Sequence, residues 1–267
     1  MSETEKNKAT EAVGAETAPE AQISLDSALA EELQKYAIDA EHMKEYAQQY
    51  NLNEYVLNLI TPKLEEKYKK SFTACAIGGR FNYKTATVYY KDEAGVTFRV
   101  VADSDTLALE DNYIRNRCMR EIEAQLLEQY FAPELHLYCK AKVLCDDCSA
   151  ERDDALCAKD FFEKYHVSTV LLDLFMCADT ADQASLNSIL DSLLNFSREL
   201  QAGVAVELYI IEKERFEECI SGIDNALEFS DNRFHEYFIN TVVFSVKEQT
   251  IYPEPASLAE LLHGKGE

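Results

Sequence analysis

The chain has 267 residues, 47% hydrophobic and 28% charged, which is the balance of a globular protein with material for one large domain or two small ones. Its 49 Asp and Glu outnumber 26 Lys and Arg, giving a formal net charge of −23 that opposes binding to nucleic acid and to anionic lipid. No run approaches the roughly 20 apolar residues of a membrane span, so membrane insertion is excluded as an expectation.

The first stretch, "MSETEKNKATEAVGAETAPEAQ", carries no signal pattern and no early cysteine to lipidate. The expected location is therefore cytoplasmic; the alternative is an exported or surface-attached protein whose signal is absent from this chain. Its acidic, Ala- and Thr-rich composition predicts a disordered tail over residues 1–22. From Ser24 a helical arm is expected, because Leu25, Leu29, Leu33, Tyr36, Ala40, Met43, Ala47 and Tyr50 recur at steps of three and four. Ser24 can cap it, and Asp26 suits its first turn. That stripe must be covered by the body, by a second copy or by a protein partner, so residues 24–50 are the expected route of self-association or partner binding. A second helical stretch, Asn53 to Lys70, should break or restart at "TPKLEEKY", where Thr61 can cap and Pro62 suits a first helical position.

The pattern then turns to strands. "SFTACAIGGRFNYKTATVYYKDEAGVTFRVVADSD" alternates, with Phe81, Tyr83, Thr85, Thr87 and Tyr89 on one face, and Val96, Phe98 and Val100 on one face of the next run. This predicts an antiparallel meander of three strands, with "KDEAG" as a turn and Gly78-Gly79 as a turn or bulge. Helix is expected from Leu107 to Phe131, stopped by Pro133, and then a strand over "ELHLYCKAKVLC". Further on come a helix over Arg152–Tyr165, an all-apolar central strand in "STVLLDLFMCA", and a helix over Gln183–Leu200. "GVAVELYII" reads as a strand, "EKERFEECISGI" as a short helix, "RFHEYFINTVVFSVKEQTIY" as a long strand or hairpin arm, and "ASLAELLH" as a closing helix. Strand–helix–strand connections of this length imply parallel neighbours. The class is α+β (mixed α/β): a tail at 1–22, a helical arm at 23–70, a meander–helix–strand unit at 71–147 and an alternating strand–helix unit at 148–267. The last two can form one domain.

Eight cysteines are too few for a disulfide scaffold, and in the cytoplasm they should be free thiols. Four fall in "CKAKVLCDDCSAERDDALC". Cys139 and Cys145 share a strand face with Leu135, Leu137, Ala141 and Val143, as core thiols do. Cys148 falls in the polar turn "DDCSAERDD", and Cys157 in the following helix. Only Cys145-x-x-Cys148 is a metal half-site; Cys157 and His166 would have to be recruited singly. Packing is thus the leading reading, with no catalytic residue, metal or cofactor, and a zinc- or thiol-dependent protein using Cys145, Cys148, Cys157 and His166 is the alternative. "HEYFI" at His235 opens like a zinc-protease helix but has Ile239 where the second His must stand, which makes His235 a surface residue on a strand. Asp173, inside "VLLDLFM", needs a partner or a shifted pKa, and pairing is the expectation. No G-x-S-x-G, P-loop or G-x-G-x-x-G is present.

The order "LEEKYKKSF", a meander ending "VTFRVVAD", then "LEDNYIRNRCMREIEAQLLEQYF" resembles an uncharacterised family of clostridial-type Gram-positive α+β proteins, many of them lipoproteins. The lead-in is Lys67, Tyr68 and Phe72, the helix start Asp111, Asn112 and Tyr113, and "VLLDLFMCAD…LLNFSRELQAGVAVELYII" is similar to a later strand–helix–strand unit. The likeness covers residues 62 to 215. It implies a fold and no catalytic residue. The expected function is that of a non-enzymatic cytosolic protein acting through protein–protein interaction, by its helical arm or its acidic surface.

Overall fold

Apolar side chains on alternate strand positions decide which face of each sheet is covered, and helices supply the cover. The computed structural model describes residues 52–77, 85–103, 106, 108–145, 148, 151–227 and 231–262. The tail, the arm over 24–50, Phe81, Tyr83 and the Gly78-Gly79 turn lie outside the described residues.

Helix α1 (Leu52–Tyr68) runs without a break through Pro62. The expected restart does not occur: Leu59, Ile60, Leu64 and Tyr68 are buried along one side, and that packing outweighs the loss of one helical bond. Thr61 does not cap; its hydroxyl lies 2.8 Å from the Tyr90 hydroxyl. The first sheet has four strands rather than three, β1 (Thr73–Ile77), β2 (Thr85–Lys91), β3 (Thr97–Asp103) and β4 (Leu109–Asp111), paired antiparallel in chain order. Ala86, Val88 and Tyr90 of β2 and Phe98, Val100 and Ala102 of β3 form its buried face. Its β2–β3 turn needs glycine, since Gly95 sits at φ 85°. Asp92 closes that turn by accepting from the Val96 amide at 2.8 Å.

The helix expected from Leu107 begins later. Leu109–Asp111 is taken into the sheet, and helix α2 spans Tyr113–Gln125 before widening into a π-turn over Leu126–Tyr130. Here the motif residues meet. Lys67 Nζ and the Tyr68 hydroxyl both donate to the buried Asp111 carboxylate at 2.8 Å, and the Tyr113 amide donates to it at 3.1 Å. Phe72 and Tyr68 stand edge-on to Tyr113, with ring centres 5.2 and 4.8 Å away. The Lys-Tyr-x-x-x-Phe and Asp-Asn-Tyr segments are thus two halves of one latch, fastening α1 to the start of α2.

The second sheet runs β5 (Leu137–Val143), β6 (Thr169–Cys177), β7 (Gly203–Ile211), β8 (Phe238–Lys247), β9 (Thr250–Tyr252). Only β6 and β7, joined by helix α4 (Gln183–Leu200), are parallel; β5–β6, β7–β8 and β8–β9 are antiparallel. The expectation of parallel neighbours therefore holds at one crossover alone. After β7, helix α5 (Lys213–Asp224) leads away, and the short α6 (Asp231–Phe234) brings the chain back to the same end of the sheet, where Phe238 pairs with Ile211. Between β5 and β6 the expected helix shrinks to α3 (Ala158–Lys164). Its predicted first turns are diverted, because Glu151 accepts from the Arg152 and Asp153 amides at 2.9 Å. Helix α7 (Pro255–Leu262) closes the chain.

One apolar cluster runs from α1 through both sheets to α4 and α7, and a smaller one, including Phe175, Tyr209, Ile211, Cys219 and Ile223, lies on the other face of the second sheet under α5. The overall class is α+β, as expected.

Candidate functional site

Between the outer side of the first sheet and the free edge of β5 lies a groove of about 670 Å³. Helix α2 forms its floor, and one stripe of that helix ties both sheets. Asn112 accepts from the Arg99 amide at 2.7 Å while its own amide donates to the Arg99 carbonyl at 3.2 Å. Asn116 donates to the Thr97 carbonyl at 2.9 Å. Two turns on, the buried Glu123 accepts from the Ala141 amide of β5 at 2.9 Å. Positions 112, 116 and 123 fall on one side of a helix, so a single stripe satisfies strand edges in two sheets.

The lining is cationic. Among the described residues, Lys91, Arg99, Arg115, Arg120, Lys140 and Lys142 face the groove against Glu123 and Asp224. Arg120 donates to Glu123 at 2.7 Å, Lys140 lies 3.3 Å from Asp224, and Lys142 lies 2.6 Å from Asp173. Tyr138 also donates to Asp224; burial, and then that bond, hold its hydroxyl well above the usual phenol range. On the first-sheet wall, Tyr89 is paired across the strands with Arg99 and Lys91 with Thr97. Arg115 projects from the first turn of α2. The geometry suits recognition of negative charge by guanidinium and ammonium donors.

None of these cations stood out in the sequence. They are scattered over residues 91–142, and only strand register and the helical stripe gather them. Of the residues singled out as candidates for chemistry, none lines the groove, though Asp173 pairs with a groove lysine; of the motif residues, Asn112 lines it. Asp173 is buried and partnered by Lys142, the pairing expected of it. Cys139 is buried on the β5 core face, as expected. Cys148 is not the surface turn residue expected: it is 7% exposed and packs in the main core. Its polar neighbours in sequence gave no sign of that burial. Cys157 stands just before α3 rather than within it, Cys145 is half-buried and His166 is exposed. Among the described residues no three His, Cys, Asp or Glu side chains gather closely enough to hold a metal ion. His235 lies in a 3-10 turn, not on a strand.

A second polar cluster borders the latch. Burial alone would raise the Glu151 pKa, but bonds from Lys164, the Asp153 and Arg152 amides and Tyr165 outweigh it and bring the group down to about 2. The Tyr68 hydroxyl, already on Asp111, also reaches the Glu151 carbonyl at 3.2 Å. Every polar atom named here serves another protein atom, which is the signature of a structural network.

No family model and no curated protein matches the chain. Its fold is similar to the crystal structure of a DUF5037 family protein from Ruminococcus gnavus, with a TM-score of 0.62 and 9% identity over 79% of this chain and 100% of that one. Ruminococcus gnavus is clostridial, so the structural neighbour agrees with the resemblance to an uncharacterised clostridial family. That likeness extends to the fold. Among the described residues, no helix is long and apolar enough to cross a membrane.

Proposed function

We propose that the protein works by binding, without chemistry of its own, and that it takes an anionic ligand in the groove between its sheets. What supports this is the distribution of charge. Among the described residues, six cations line one groove with two acids. Arg120, Lys140 and Lys142 have carboxylate partners, but Lys91, Arg99 and Arg115 have none among the described residues, and an anion between them would relieve their mutual repulsion. A cytosolic setting, and partner binding or self-association through residues 24–50, belong to the same proposal, with an exported or surface-attached protein as the alternative. The zinc or thiol reading through Cys145, Cys148 and Cys157 is weaker, since Cys148 is committed to the core.

The test is a thermal-shift titration of the full chain with citrate, sulfate and inorganic phosphate at constant ionic strength. A rise in melting temperature with millimolar anion that disappears in Arg99→Gln/Arg115→Gln is the expected result. An equal shift in both proteins would place anion binding elsewhere and overturn the reading.

A further inference from the structure

Resting on that reading, we infer that the groove ligand is a small phosphate monoester carrying an apolar body. The groove cations divide into two groups. Arg120, Lys140 and Lys142 are each set against a carboxylate, of Glu123, Asp224 and Asp173. On the opposite wall, Lys91, Arg99 and Arg115 have no acidic side chain against them among the described residues. Strand register sets Lys91 and Arg99 on neighbouring strands, and the double bond between Asn112 and Arg99 brings the first turn of α2, with Arg115, to the same wall.

Three uncompensated positive charges call for more than one negative charge. A carboxylate brings one charge and two oxygens. A phosphate monoester brings about −1.5 to −2 at neutral pH and three acceptor oxygens, enough for two guanidinium forks and one ammonium. The far lip supplies the second half of the specificity. Leu144 is 83% exposed and Leu227 36% exposed, two of six large apolar side chains left exposed among the described residues, and both line this groove together with Ile223 and Leu171. An apolar group spanning from the phosphate to that lip would cover them. The volume fits a small molecule. Net charge selects against larger bearers of phosphate: a nucleic acid or an anionic bilayer would face the acidic exterior, whereas a small ligand inside the groove meets the local cations within about one Debye length of ~8 Å.

Isothermal titration of the full chain with hexyl phosphate, glycerol phosphate and hexanoate tests this. Hexyl phosphate should bind on the order of tenfold or more tighter than either, since glycerol phosphate lacks the methylenes that leave water and hexanoate lacks the second charge and the third oxygen. Arg99→Gln/Arg115→Gln should abolish binding of both phosphates. Leu144→Ser/Leu227→Ser should reduce hexyl phosphate to the level of glycerol phosphate and leave glycerol phosphate unchanged. Both pairs sit at exposed or half-buried positions, and circular dichroism checks that they fold. If hexanoate binds as tightly as hexyl phosphate and both are lost in the Arg variant, the groove takes anions but the phosphate assignment is overturned. If hexyl phosphate gains nothing over glycerol phosphate, the apolar body is overturned. If none binds, or the Arg variant binds normally, the inference and the groove reading fall together. Tight binding to phosphatidic acid vesicles with no binding of hexyl phosphate would assign the phosphate to a membrane and overturn the small-molecule class.

Discussion

Glu151 is a carboxylate almost closed off from water, and its partners make it a sensor of acid. Its pKa falls from 4.5 to about 2 in the folded protein. A carboxylate held lower when folded stabilises the fold above its unfolded pKa, and loses that contribution as pH falls from about 4.5 towards about 2. The half-exposed Lys164 reduces the effect, which leaves on the order of 2 kcal/mol. Urea unfolding at pH 6 and pH 2.5 should show a larger loss in wild type than in Glu151→Gln by that amount; equal losses would mean that the network does not hold the charge. The thiols give a second test at this scale. Cys148→Ser and Cys139→Ser should each cost about 1–3 kcal/mol, because each puts a hydroxyl into the core. Burial pushes Cys118 up to about 12 and Cys139 well above the usual thiol range. Native alkylation at pH 8, read by peptide mass, should therefore label exposed Cys75 first and those two last.

Among elements, the latch between α1 and α2 carries the clearest prediction. Asp111→Ala leaves Lys67 beside an empty pocket and should cost about 3–5 kcal/mol, while Tyr68→Phe removes one hydroxyl and should cost about 1–2. A double-mutant cycle by chemical denaturation should show the two losses to be non-additive; strict additivity would separate them. This level also shows what a sequence reader can and cannot see. The bounds of α4 and β7 follow from their own residues, since "QASLNSILDSLLNFSREL" has one apolar stripe and "GVAVELYII" an apolar run between turn signals. The start of α2 does not, because Leu109–Asp111 is drawn into a strand by Val100–Ala102, a partner sequence alone does not name. The late start of α3 was hidden for a related reason: Glu151 spends its carboxylate on the backbone that a helix would have used. The motif residues were legible as a pattern, but their meeting at Asp111 was not.

At the scale of the whole molecule, charge acts in two directions. An excess of 49 acids over 26 bases opposes compaction, so raising NaCl from about 20 to 300 mM should raise the melting temperature by screening. The groove has the opposite local sign, so the same salt should weaken hexyl phosphate binding. Calorimetry in both salts checks the pair of slopes, and slopes of one sign would deny that the groove differs from the exterior. The groove escaped the sequence because Lys91, Arg115 and Lys140 become neighbours only through the packing of two sheets on one helix.

The stripe of Asn112, Asn116 and Glu123 has a practical bearing on the search for inhibitors. Peptidomimetics that extend a sheet need open amides and carbonyls along a strand. At the groove, those of Arg99, the Thr97 carbonyl and the Ala141 amide are already taken. Backbone-mimetic libraries are thus a poor starting point for this protein. Compact acidic fragments with a lipophilic tail are the better one, because they answer the groove's charge and its two exposed leucines.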